Sequence, residues 1–191
     1  MGVDITGLNP VITTERPAHI DYSTASEAEK ESFWEAMDKY REENPGEYFQ
    51  SNWWAWRPIH ALCDIVQSEY KLRINTSRWG ENSGGGLRNP KTCNKLADAL
   101  QEYISKNLGD QLKEDDDVIY FCLGCWNTNE GTFIPSEIEE KLNEKYAIGT
   151  ILHASIVLED GMIVQPSHST RYSTIKRWTN FLRNCGGFAI Y

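Results

Sequence analysis

Residues 172–191 read YSTIKRWTNFLRNCGGFAIY. Ile175, Trp178, Phe181, Leu182 and Cys185 recur at three- and four-residue steps. That spacing predicts a helix over Tyr172 to Cys185 with one apolar stripe. Gly186-Gly187 ends it, because glycine readily takes the left-handed conformation that closes a helix. Phe188 to Tyr191 then reads as a last strand. At the other end of the chain, Val3 to Thr6 is short, rich in β-branched residues and bounded by Gly2 and Gly7, so it reads as a strand too. The two terminal strands are expected as neighbours in one sheet.

Between these ends the periodicity is mostly helical. Ser26 to Asn44 carries Phe33, Trp34, Met37 and Tyr40 on one stripe and is stopped by Pro45-Gly46. Residues 8–25, with Pro10 and Pro17, read as a loop. A second helix is expected from Pro58, whose missing N–H costs nothing in a first turn. Its stripe is Ile59, Leu62, Cys63, Val66 and Tyr70. Residues 71–90 look irregular. Asn89-Pro90 then caps a third helix, with Cys93, Leu96, Ala97, Leu100, Tyr103 and Ile104 in phase. Val118 to Leu123 reads as a strand and Pro135 to Tyr146 as a short acidic helix. Thr150 to Leu158 and Met162 to Gln165 flank Glu159-Asp160-Gly161, a hairpin signal. The sum is an α+β fold in a single domain over residues 1–191, with about four helices packed on a small mixed or antiparallel sheet.

Composition narrows the class further. Of 191 residues, 40% are hydrophobic and 25% charged, ordinary values that exclude a disordered chain, a collagen-like fibre and a coiled coil. No apolar run is long enough to span a bilayer, so no membrane partner is expected. MGVDITGLNP lacks the basic start and apolar stretch of a secretory signal. Five cysteines, an odd number, read as reduced thiols in a cytosol. The net charge of −9 argues against direct nucleic-acid binding. That average hides a segregation. Residues 51–95 carry seven basic and three acidic side chains, and residues 161–191 carry four basic and none acidic. Where two such segments meet, they make a cationic spot on an acidic protein, suited to a small anion.

Three constellations could carry chemistry. The densest is Tyr48-Phe49-Gln50-Ser51-Asn52-Trp53-Trp54-Ala55-Trp56-Arg57-Pro58. Trp53, Trp54 and Trp56 cannot all face one core. At least one is expected in a groove or interface, where indole and guanidinium stack on a flat ligand. The bland alternative makes the tryptophans core anchors and Arg57 a surface pair. The second is the stretch from Trp79 to Thr92, with Asn82, Ser83, Gly84-Gly85-Gly86, Arg88 and Lys91. Backbone N–H groups of a glycine loop, with Arg88 and Lys91, could hold an anion. The loop is neither a Walker A motif nor GxGxxG after a strand, so nucleotide hydrolysis has no support in it. A flexible connector explains it as well. The third is Cys122-Leu123-Gly124-Cys125, a CxxC without a second pair, and so half of a zinc site. Beyond zinc at Cys122 and Cys125, no cofactor is implied. His19, His60, His153 and His168 sit in no catalytic signature, and GxSxG, HExxH and paired-carboxylate patterns are absent. No catalytic residue is assigned.

The start MGVDITGLNP, the block YFQSNWWAWRPI, the NSGGGL loop with its following LADAL helix, and the end FLRNCGGFAIY together resemble an uncharacterised family of small bacteriophage and prophage proteins. The likeness covers residues 1–10, 48–104 and 175–191. It implies a phage-borne origin and, with it, a cytoplasmic location in a bacterial host cell. Members of that family often carry two CxxCxGxG zinc knuckles; here Cys122 and Cys125 match one CxxC and the second pair is missing. Against the family, residues 11–47 read as an insertion of loop plus acidic helix, and residues 108–167 as a variable middle region containing the hairpin.

The functional expectation is a non-enzymatic phage-type accessory protein that binds a small anionic or nucleotide-like ligand. Trp53, Trp54, Trp56 and Trp79 would stack, Arg57, Arg73, Arg78, Arg88 and Lys91 would meet charge, and Asn82 and Ser83 would also bind the ligand; counter-defence is the biological setting. The alternative is an acidic protein-interaction module that inhibits a host or defence protein. The third is a hydrolase using His153 or His168.

Overall fold

The computed structural model describes residues 2–81 and 84–191. Strand β1 (Gly2–Gly7) leads through a long loop to helix α1 (Glu27–Glu43), strand β2 (Tyr48–Asn52) and helix α2 (Trp53–Glu69). Strand β3 (Gly86–Leu87) precedes α3 (Pro90–Leu108) and a 3-10 turn over Gly109–Gln111. Then come β4 (Val118–Thr128), α4 (Ser136–Lys145), β5 (Ile151–Leu152), β6 (Ile156–Val157), β7 (Ile163–Arg171), α5 (Tyr172–Asn184) and β8 (Phe188–Ile190). The class is α+β, as the periodicity predicts.

The described strands form two antiparallel sheets rather than one. The first runs β2-β1-β8-β3 and the second β5-β4-β7-β6. The chain ends meet as expected: Ile5 lies opposite Ile190, and Gly7 opposite Phe188. β2 comes from the tryptophan block, where the aromatic cluster hides the alternation of buried Phe49 and Ser51 with Gln50 and Asn52. α2 also begins earlier than its proline suggests. Asn52 caps it, its side chain accepting from the Ala55 N–H at 2.8 Å, so Pro58 falls inside the helix. The hairpin forms at its predicted turn, with Val157 opposite Ile163, and β7 runs on to Arg171.

Helices α2, α3 and α5 lie between the sheets, each touching strands of both. Their apolar stripes build one aromatic core. Trp56, Trp79 and Trp178 are wholly buried with Phe49, Phe181 and Phe188 around them. Trp178 sits 5.2 Å edge-on to Trp56 and 5.1 Å from Phe49, ring centre to ring centre. The Trp56 indole donates to the Trp79 carbonyl at 2.8 Å. Strand β4 is buried on both faces: Ile119 and Phe121 join this core, while Cys122 and Trp126 join a smaller one with Leu142 of α4. α4 is pinned there by Trp126 Nε1 donating to Asn143 at 2.8 Å. At the periphery, α1 is held by a capping box between Ser26 and Glu29. Buried Asn44 stitches the long loop to it: its Oδ1 accepts from the Thr13 N–H at 2.7 Å, and its amide donates to the Thr14 hydroxyl at 2.7 Å.

Candidate functional site

The face of α2 that turns toward the second sheet carries Arg57, His60, Ala61, Asp64 and Ile65, spaced as one helical stripe. Facing it are His168 of β7, Leu123 of β4 and Ile148 from the loop before β5. Together they line an open cleft of about 470 Å³. Two other hollows are larger, about 570 and 510 Å³, and each holds a cation paired with a carboxylate. In the first, Arg41 is 3.3 Å from Asp38, while Arg177 lies over the Phe49 ring. In the second, Lys176 is ion-paired to Asp115. The α2–β7 cleft differs because it joins Arg57, which has no carboxylate partner among the described residues, to two histidines, His60 and His168.

Arg57 lies with its guanidinium carbon 4.9 Å from the centre of the Trp54 ring. Stacking of this kind orients the fork while leaving its N–H edge to hydrogen-bond elsewhere. His168 shares the cleft and feels that charge. Burial first, and then the Arg57 guanidinium, hold its imidazole below the ordinary histidine range. It is therefore neutral at pH 7. Its Nδ1 is 2.9 Å from the Ser167 hydroxyl, and its Nε2 has no hydrogen-bond partner among the described residues. β7 pairs with β4 so that His168 is opposite Phe121; the ring thus stands on the helix-facing side of the sheet.

His60 is fixed differently. Its Nε2 lies 3.0 Å from the Thr76 carbonyl oxygen. A carbonyl only accepts, so Nε2 carries the proton. The Thr76 hydroxyl in turn donates to Asp64, whose other oxygen is 3.7 Å from His60 Nε2. This small network occupies the Asp64 carboxylate. Asp64 is also seven residues from Arg57, roughly 10 Å along the helix at 1.5 Å per residue. Its charge bears on the far end of the cleft and leaves the Arg57–His168 end electropositive.

The structure disperses the site residues expected from sequence. Of the tryptophans, Trp56 and Trp79 have no exposed face and serve as core. Trp53 is partly buried against the core, and Trp54 is 76% exposed. The block thus divides between core and solvent, as three indoles in four positions require. Arg88 and Lys91 are exposed. α2 leaves the first sheet beside the Gly2 end of β1, whereas Arg88 follows Leu87 near the Gly7 end, two strands further across. Strand spacing and rise put these corners roughly 20 Å apart. Asn82 and Ser83 lie outside the described residues. Gly80, from the same stretch, packs beside the His60 ring.

The half zinc motif is split by burial. Cys122 is buried, and burial pushes its thiol up to about 11, away from the thiolate a metal requires. Cys125 is exposed, and all five cysteines are free thiols. Among the described residues no group of three or more His, Cys, Asp or Glu is placed to hold a metal ion. Among them, too, no helix is long and apolar enough to cross a membrane. His153 sits apart from the cleft, 3.6 Å from Asp117. Sequence reasoning missed His60 and Asp64 as site members. The i, i+4 spacing of His60 and Asp64, three and seven residues after Arg57, was the signal that could have found them.

No protein-family model, no curated protein and no solved structure matches the chain. The motif likeness to phage proteins therefore stands on the quoted residues alone.

Proposed function

We propose that the chain binds a small anionic ligand in the α2–β7 cleft, acting as a binding protein of the phage accessory kind rather than as an enzyme. The observation that carries this reading is Arg57, a guanidinium with no carboxylate partner among the described residues, stacked on Trp54 at the mouth of a cleft that also holds neutral His168. Such a guanidinium, a histidine free to accept a proton and a wall of apolar side chains suit anion capture. They do not assemble a nucleophile, base and orienting group. Isothermal titration with sulfate and inorganic phosphate tests it. One saturable site is expected, weakened at least tenfold by Arg57→Gln and unchanged by Arg41→Gln in the larger groove. No saturable heat with either anion up to millimolar concentrations would remove the reading.

A second reading draws on a different surface. Tyr22, Phe33 and Trp34 form a partly exposed aromatic cluster, with ring centres 5.5–6.1 Å apart, beside the acidic face of α1. Aromatic anchors ringed by carboxylates suit a basic protein partner. Equal binding of lysine- and arginine-rich peptides by the wild type and Trp34→Ala would sink that reading.

A further inference from the structure

The composition of the cleft says more than that an anion fits. Four of its eight lining residues, Ala61, Ile65, Leu123 and Ile148, are apolar. Ile148 is 76% exposed. An inorganic anion held by Arg57 would leave this wall in contact with water. Just outside, Trp54 presents the same 76% of its surface and is joined to the cleft through Arg57, which stacks on it. One face of the indole carries the guanidinium, leaving area for a second flat group. Cationic and aromatic groups so coupled receive a ligand whose charge and ring are joined by a short linker, and the volume is within the range of small-ligand sites.

Resting on the anion-binding reading above, we propose that the ligand is a nucleoside phosphate. Its phosphate sits between Arg57 and His168, and its base stacks on Trp54. The apolar wall of Ile65, Leu123 and Ile148 covers the sugar. The cleft is small and the chain carries a net charge of −9, so a single nucleotide enters while a polynucleotide is repelled. Trp54 is then a specificity-determining residue: it separates nucleotides from sugar phosphates of equal charge.

The test compares AMP, GMP, CMP and UMP with ribose 5-phosphate and adenosine, by isothermal titration against wild type, Trp54→Ala and Arg57→Gln. At least one nucleotide is expected to bind about tenfold or more tightly than ribose 5-phosphate, and adenosine weakly. Trp54→Ala should weaken that nucleotide at least tenfold more than it weakens ribose 5-phosphate, whose phosphate still meets Arg57. Arg57→Gln should weaken both. Trp54 is exposed, so the variant is expected to fold, and an unchanged melting temperature verifies it. If ribose 5-phosphate binds as tightly as every nucleotide, or Trp54→Ala weakens both alike, the nucleoside assignment is overturned while anion binding stands. If adenosine matches AMP, the phosphate has no role and the assignment also falls. If no phosphate compound binds, this proposal and the anion reading fall together.

Discussion

Replacing Gly186 by alanine should reveal how tightly the two ends of the chain are locked. Gly186 has φ +62°, a conformation that costs an L-residue about 1 kcal/mol or more. A Cβ there would also fall on the Asn9 carbonyl, well inside van der Waals contact. Relief requires the Leu8–Asn9 segment to move away. That movement breaks Leu8 N–H to Gly187 O, 2.7 Å, and Asn9 N–H to Cys185 O, 3.2 Å. At about 1 kcal/mol for each backbone bond, the total is about 3 kcal/mol. For a chain of this size that lowers the melting temperature by roughly 6–12 °C. Gly161 is the control. It has φ +84° in the hairpin turn, but nothing lies within 4 Å of its added Cβ. Gly161→Ala should therefore cost only the conformational part, roughly 2–4 °C. Differential scanning calorimetry of both variants decides the matter. Equal losses within 2 °C would show that the close approach at Gly186 does not lock β8 to the first strand, and would refute the argument.

Other consequences follow from burial and charge. Trp178→Ala should destabilise by about 3–5 kcal/mol in urea titration, because a wholly buried indole leaves a large cavity, whereas exposed Trp54→Ala should stay within about 0.5 kcal/mol. Ellman's reagent should titrate one thiol in the native protein, Cys125, and five in denaturant, since the other four are buried. His168, held low by burial and Arg57, is protonated more readily in the unfolded chain than in the fold. As pH falls below about 6.5, the unfolded state binds the extra proton, so His168 makes stability decline toward its depressed folded value and level off below it. His168→Asn should reduce this decline between pH 7.5 and 5, measured by urea midpoints; an unchanged slope would show that His168 does not titrate in the cleft.

The helices were legible because their apolar residues recur at helical spacing and their caps are local. Ser26, Asn89 and Gly186-Gly187 mark ends that need no tertiary information. The pairing of the terminal strands was legible for a similar reason, each being a short strand next to glycine. β2 was not legible, because Phe49 and Ser51 face inward in a segment whose composition is dominated by indoles. A second sheet was invisible from sequence because β5 and β6 are two residues long, and their pairing rests on β4 and β7. The site was half legible. Arg57 and Trp54 stood out by type, but Trp56 and Trp79 look identical to Trp54 until burial separates them. His168 reaches Arg57 only because β7 packs across α2, a long-range contact that no local pattern encodes.

Charge and topology converge at the cleft. Arg57 belongs to the basic segment 51–95 and His168 to the basic segment 161–191, and the packing of α2 on β7 brings the two together. Most basic residues of the second segment are drawn to acidic neighbours: Arg171 to Asp116, Lys176 to Asp115 and Arg183 to Asp98. Such exposed pairs contribute little to stability, but they remove the cations from competition for a free anion. Arg57 escapes this pairing because its neighbours on the α2 stripe are His60, Ala61 and a carboxylate already engaged by Thr76. The net charge of −9 then acts as a filter. Its repulsion grows with the number of phosphates on an approaching ligand and is screened beyond about 8–10 Å at physiological salt. On the proposed reading, a single nucleotide feels the Arg57 guanidinium more than the carboxylates that lie beyond that distance. On the same reading, a nucleic acid brings many phosphates and meets the full repulsion, so a mononucleotide is favoured over a polymer.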